Sequence, residues 1–133
     1  MANITVERVE TRIYRGSNGR GQEVMIGPKD TEGVFSPGEL LQLALAGCAG
    51  MSSDLAITRR VGEVPRTVEV EAVHHETEDR FTSFAERITL HADIDAETLE
   101  AVRQVAIRAI ETGCTIGLTI ERSAPVSHEI VAG

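Results

Sequence analysis

The densest apolar stretch of the chain, residues 36–51, reads S-P-G-E-L-L-Q-L-A-L-A-G-C-A-G-M. Ser36 is placed to cap a helix. Pro37 falls at the first helical position, where a missing N–H costs nothing, and Glu39 completes a capping box with Ser36. Leu40, Ala44, Cys48, Met51 and Leu55 recur at helical spacing and define one face. Leu41, Leu45 and Ala46 widen the apolar surface, so this helix is expected to be buried on several sides. Ala44, Gly47, Ala49 and Gly50 would admit another backbone at close range. Arg59 and Arg60, with Gly62 beyond, predict its end, because cations suit the negative pole and glycine suits the turn that follows.

Elsewhere the pattern changes to period two. Residues 3–14 are rich in β-branched side chains and predict a first strand, with Asn18-Gly19 as a hairpin turn and residues 21–26 as the return strand. Residues 27–35 form a loop of glycine, proline and charge. Residues 66–75 alternate through Val68, Val70 and Ala72, and residues 84–94 alternate through Phe84, Ile88 and Leu90; the polar stretch 76–83 joins them as an antiparallel hairpin. Asp95 caps a second helix whose face carries Leu99, Val102, Ala106 and Ile110. Residues 118–122 and 125–131 read as two short closing strands. The predicted order is β-β-α-β-β-α-β-β: an α+β fold, one domain over residues 1–133, with antiparallel strands wrapped around the first helix. So apolar a helix in so small a chain also predicts burial against a second copy, a homodimer.

With 133 residues the chain is long enough for a core without metal or disulfide staples. That core must be aliphatic, since there is no Trp, one Tyr and three Phe. A net charge of −8 opposes phosphate backbones and anionic membrane surfaces, so neither nucleic acid nor membrane is an expected partner. The apolar run 40–51 is too short to span a bilayer, the N-terminus has no signal-peptide pattern, and the expected compartment is the cytoplasm, where thiols stay reduced.

Two cysteines remain, Cys48 on the first helix and Cys114 directly after the second, 66 positions apart. Each is either a small core hydrophobe or half of a redox pair. A reactive thiol requires a nearby cation or a helix N-terminus. Cys48 lies about three turns into its own helix, beyond useful reach of that dipole, so the cation would come from Arg12, Arg15, Arg20 or Lys29. The histidines do not chelate: His74 and His75 are adjacent on a strand and point to opposite faces, while His91 and His128 are isolated. With two cysteines and no Cys/His cluster no zinc site is expected, and S-N-G-R-G matches no phosphate loop.

Residues 36–48, S-P-G-E-L-L-Q-L-A-L-A-G-C, followed by a lone second cysteine after a second helix, resemble the OsmC/Ohr family of small thiol-dependent peroxidases. The resemblance implies an intertwined homodimer with its sites at the interface. Cys48 would be the peroxidatic thiolate reducing small organic hydroperoxides, Cys114 the resolving thiol, and an external dithiol the reductant, with no other cofactor. Phe35, Leu40, Leu41, Ala44 and Met51 would line the site. In the family an arginine activates the thiolate and a glutamate ten residues before the cysteine holds it. Here that position is Gly38, and Glu39 stands one residue later, turned by about 100° on a helix. Arg12 best fits the arginine, with Arg15, Arg20 and Lys29 as rivals. Where the family often places proline after its second cysteine, this chain has Thr115-Ile116-Gly117. These departures raise an alternative: an OsmC-like protein that binds a small apolar ligand in the same interface pocket without catalysis.

Overall fold

A computed structural model describes residues 3–131. The elements are β1 (Thr5–Glu10), β2 (Ile13–Ser17), β3 (Glu23–Ile26), α1 (Pro37–Val61), β4 (Arg66–His74), β5 (Phe81–Leu90), α2 (Ala96–Gly113) and α3 (Thr115–Arg122). They form two compact units, Met1–Leu43 and Ala44–Gly133, and α1 starts in the first and continues into the second. The class is α+β with two antiparallel sheets, as the alternation predicts.

The first unit holds a three-stranded sheet in the order β1-β2-β3. The single first strand expected over residues 3–14 is in fact two. Glu10 pairs with Ile13 across a two-residue turn at Thr11 and Arg12, and Arg12 takes a left-handed backbone with φ 63°. Neither residue is a usual turn former, which hides the turn in a β-branched run. The register also slips between Arg8 and Glu10, a bulge that interrupts the alternation of this stretch. The Asn18-Gly19 turn forms as expected: Asn18 Oδ1 accepts from the Arg20 N–H at 2.9 Å, and Gly19 has φ 74°. Gly27 then lets the chain pass tightly over Ile13, whose Cδ1 would lie 2.7 Å from any Cβ there. The Gly27 N–H donates to the Phe35 carbonyl and the Phe35 N–H to that of Met25, closing the loop that carries Lys29.

The second unit packs the rest of α1 with β4, β5 and α2. Here α1 buries Leu45, Ala49, Ser53 and Ile57, spaced four apart. Ile57 meets Val102 and Ala106 of α2, with Val61, Ile88 and Leu90 around them. Gly50 faces Val68, whose Cγ2 would lie 3.5 Å from a Cβ. This is not the face that spacing singled out. Met51 and Leu55 are 82% and 63% exposed. A helix apolar nearly all round gives its periodicity no contrast, and the small Ala49 and Ser53 are what allow close packing on the opposite side. At 25 residues α1 is longer than the run 40–51, and by length and composition it could cross a membrane. Its buried stripe packs against α2 and β5. It ends as predicted at Val61, with the Gly62 N–H donating to the Thr58 carbonyl at 2.8 Å.

The β4–β5 hairpin pairs Arg66 with Leu90 through to His74 with Phe81. Asp95 caps α2, accepting from the Thr98 N–H at 2.8 Å. The two closing strands do not form. Residues 118–122 belong to α3, and residues 125–131 have no regular structure. Ile116, Leu118 and Ile120 do alternate, but Ile116 and Ile120 are also one helical turn apart. The Cys114 side chain decides between the two by capping the helix start, where its sulfur accepts from the Gly117 N–H.

Candidate active site

Cys114 is the hinge between α2 and α3. Its backbone N–H donates to the Ile110 carbonyl at 2.9 Å and finishes α2, while its Sγ accepts from the Gly117 N–H at 3.4 Å and starts α3. The side chain is 2% exposed. Gly117 has no side chain to hold the first turn of α3 away: a Cβ would stand 3.2 Å from the Cys114 sulfur and 3.8 Å from Cδ1 of Leu45 on α1.

That packing sets the first turn of α3 beside Cys48, one turn further along α1 and half-buried. The Ile116 N–H is the principal group holding the Cys48 thiol below its ordinary range. Burial opposes it, while the Cys114 thiol, the Thr115 N–H and the Ser52 hydroxyl add to it. The thiolate is thus stabilised by a helix N-terminus, though not by that of its own helix. The sequence points instead to a cation, because Cys48 lies deep in its own helix and residues 118–122 read as a strand, which hides the second helix N-terminus. The legible signal was Ile116 and Ile120 behind a residue able to cap.

Cys114 is displaced the other way. Burial pushes its thiol up, against the Gly117 N–H; the neighbouring Cys48 and the charge of Glu86 push it further up. Both thiols are free. Of the two sulfurs Cys48 is thus the easier to deprotonate and Cys114 the harder, and the Cys114 thiol is the donor between them.

The other two expected site residues, Arg12 and Glu39, lie in the first unit. Glu39 is the partner of Ser36 in the capping box: its Oε1 accepts from the Ser36 N–H at 2.8 Å, and Ser36 Oγ accepts from the Glu39 N–H at 3.2 Å. The Ser36 N–H, then the Ser36 hydroxyl, and last the charge of Lys29 hold its carboxyl below the usual range. Arg12 sits at the β1–β2 turn. It lines a cavity of about 440 Å³ together with Tyr14, Lys29 and Ser36, so two rival cations share one cavity of that unit. Arg15 lies mid-strand opposite Met25, and Arg20 in the Asn18 turn. Of the apolar residues expected to line the site, Phe35, Leu41 and Met51 are exposed.

A second cavity, of about 610 Å³, runs between β5 and α2, with Ile88, Leu90, Val102 and Ile110 inside and Glu86 and Arg103 among its polar groups. Burial pushes the Glu86 carboxyl up. The histidines serve local structure. His74 Nε2 lies 3.0 Å from Asp79, His75 Nδ1 accepts from the Thr77 and Glu78 N–H groups, and His91 contacts Thr67 at 3.2 Å. Among the described residues no three His, Cys, Asp or Glu side chains gather where a metal could bind.

Residues 29–129 match the family model for OsmC-like protein. Uncharacterized proteins of Mycobacterium bovis and Mycobacterium tuberculosis are 37% identical over 133 residues, covering 98% of this chain and 97% of theirs. The crystal structure of an OsmC-like protein from Mycoplasma pneumoniae superposes with a TM-score of 0.70 at 15% identity, over 92% of this chain and 89% of that one. The organic hydroperoxide resistance protein OhrB of Bacillus subtilis gives 0.59 at 16% identity, over 90% of each chain. At those identities the likeness concerns the fold. The family match covers the capping box, α1 and both thiols, and the chain belongs to the OsmC-like protein family.

Proposed function

We propose that this protein is a thiol-dependent peroxidase acting on small organic hydroperoxides. The reading is carried by one observation: Cys48 and Cys114 are neighbours at the first turn of α3, with environments that push their pKa values in opposite directions. The Cys48 thiolate attacks the terminal peroxide oxygen and the O–O bond breaks. The alkoxide leaves, takes a proton and becomes the alcohol, while Cys48 becomes a sulfenic acid. The Cys114 sulfur, giving up its proton, then attacks the Cys48 sulfur. The S–O bond breaks, the departing hydroxide takes up a proton to leave as water, and a disulfide joins the two residues. An external dithiol restores both thiols by exchange. Arg12 and Glu39 keep the roles of activating and orienting groups in this proposal, and Lys29 is the cation nearest in effect to Glu39.

The working form is a homodimer, and the apolar face of α1 left exposed at Ala44, Met51 and Leu55 supports it. The working compartment is the reducing cytoplasm. A second reading, binding of a small apolar ligand without catalysis, is favoured by the apolar cavity between β5 and α2.

The deciding experiment exposes the reduced protein to stoichiometric cumene hydroperoxide and follows free thiols and intact mass. Loss of both thiols with a decrease of about 2 Da, abolished in Cys48→Ser, is the expected result. Unchanged thiols would overturn the peroxidase and leave the ligand-binding reading.

A further inference from the structure

Positions 52 and 53 of α1 are both serine, and the helix uses them differently. Ser53 is buried and donates back along the helix to the Ala49 carbonyl at 2.8 Å, a common arrangement for serine inside a helix. Ser52 makes no such bond among the described residues. Its side chain lies against the end of α2, where a Cβ on Gly113 would stand 3.9 Å from its Oγ. Cys48 is one turn earlier on the same face of α1, and the residue after Gly113 is Cys114. The hydroxyl therefore lies between the turn of α1 that carries Cys48 and the end of α2 that leads into Cys114, with no bond to a helix carbonyl among the described residues.

We propose that Ser52 is a positioning residue of the thiol pair: its hydroxyl donates to the Cys48 sulfur and holds it against the first turn of α3, facing Cys114. The other donors to that sulfur are the N–H groups of Ile116 and Thr115, fixed by the helix, and the Cys114 thiol, which is spent when the disulfide forms. Ser52 is the donor that is neither backbone nor consumed. The carboxylate whose charge reaches this pair is that of Glu86, and it acts on Cys114. The inference rests on the peroxidase reading for its effect on turnover, but not for its effect on the Cys48 thiol itself.

The test is carried out in the full chain with Cys114→Ser, so that Cys48 alone reports. The rate of Cys48 alkylation by iodoacetamide is followed against pH by intact mass, for Ser52, Ser52→Ala and Ser52→Thr. Ser52→Ala is expected to move the midpoint up by about one pH unit, a tenfold loss of thiolate at neutral pH, and Ser52→Thr to restore it by returning the hydroxyl. Ser52→Gly removes the same hydroxyl without adding bulk and should repeat the alanine result if alanine disturbs the fold. Coincident midpoints in folded Ser52→Ala, Ser52→Gly and the parent would overturn the proposal. Cumene hydroperoxide treatment of the two-cysteine protein separates the two failures. A shifted midpoint without disulfide formation leaves Ser52 in its role and removes the peroxidase, whereas disulfide formation with unshifted midpoints does the reverse.

Discussion

The Cys114 sulfur accepts the Gly117 N–H at 3.4 Å and so caps the helix whose N-terminal amides face Cys48. One residue therefore has two duties: it is the neighbouring thiol, and it holds in place the amides that stabilise the thiolate. The two duties separate by substitution. Cys114→Ser keeps an oxygen able to cap, whereas Cys114→Ala leaves the first turn of α3 without a side-chain acceptor. Cys114→Ala is expected to be less stable than Cys114→Ser by about 1 kcal/mol, measured by urea denaturation. Both variants should stop at the sulfenic acid on peroxide treatment, and Cys48 in Cys114→Ala should alkylate more slowly at neutral pH because its helix terminus has loosened.

Gly117 is the position where the same packing is tightest. A methyl group there would stand 3.2 Å from the Cys114 sulfur, close enough that the sulfur must move by a few tenths of an ångström. Alanine would gain roughly 0.8–1 kcal/mol of helix propensity over glycine, and the displaced cap gives much of that back. Gly117→Ala is therefore expected to change stability by less than about 1 kcal/mol while slowing disulfide formation severalfold. Stopped-flow thiol loss and a urea melt on the same sample check the two halves. A clear gain in stability with unchanged disulfide rate would show that the sulfur moves freely.

Much of the site was legible in the sequence, and its gaps have physical causes. The S-P-G-E capping box appears with both of its reciprocal hydrogen bonds, because a cap is a local device written within four residues. The end of α1 and the β4–β5 hairpin were legible for the same reason. The buried face of α1 was not, since Leu45 and Met51 are equally apolar and only the partners from α2 and β5 decide which turns inward. Nor was the turn at Arg12, where a left-handed backbone is occupied by a residue that does not advertise it. The start of α3 was missed because Ile116, Leu118 and Ile120 satisfy both periods, and the choice falls to a sulfur cap that ordinary capping preferences do not include. That miss mattered most: it removed from view the groups that stabilise the Cys48 thiolate.

Glu39 tests whether the capping box is the carboxylate's whole role. Its bonds to Ser36 hold its carboxyl below the ordinary range. A depressed folded-state pKa contributes stability that is present above the unfolded pKa and is lost as pH falls through the folded value. Glu39→Gln keeps an acceptor for the Ser36 N–H and removes the titration. It is expected to be less stable than the parent at pH 7 and to converge with it as pH falls below about 4.5, because the parent alone loses its carboxylate there. Thermal melts across pH 3–7 provide the check. If cumene hydroperoxide turnover survives in Glu39→Gln, the carboxylate is a cap alone; a large loss in the folded variant would give it the orienting role expected from the family.

Glu86 carries the opposite sign. Burial against the cavity between β5 and α2 raises its folded-state pKa, and its charge in turn raises that of Cys114. With a raised value the folded protein holds the proton longer than the unfolded chain. Stability therefore falls as pH climbs from the unfolded to the folded pKa, and the deficit persists above it. Glu86→Gln removes a charge and keeps the shape. The variant should equal the parent near pH 4, where both side chains are neutral, and exceed it at pH 8 by less than about 1 kcal/mol, because solvent screens a group this exposed. Relieved of that charge, the Cys114 thiol should titrate lower and close the disulfide faster after Cys48 is oxidised. Urea midpoints at the two pH values test the first effect, and single-turnover disulfide formation tests the second. A variant no more stable at pH 8 than the parent would mean that Glu86 is fully solvated. A stabilised variant with an unchanged disulfide rate would mean that its charge does not reach Cys114.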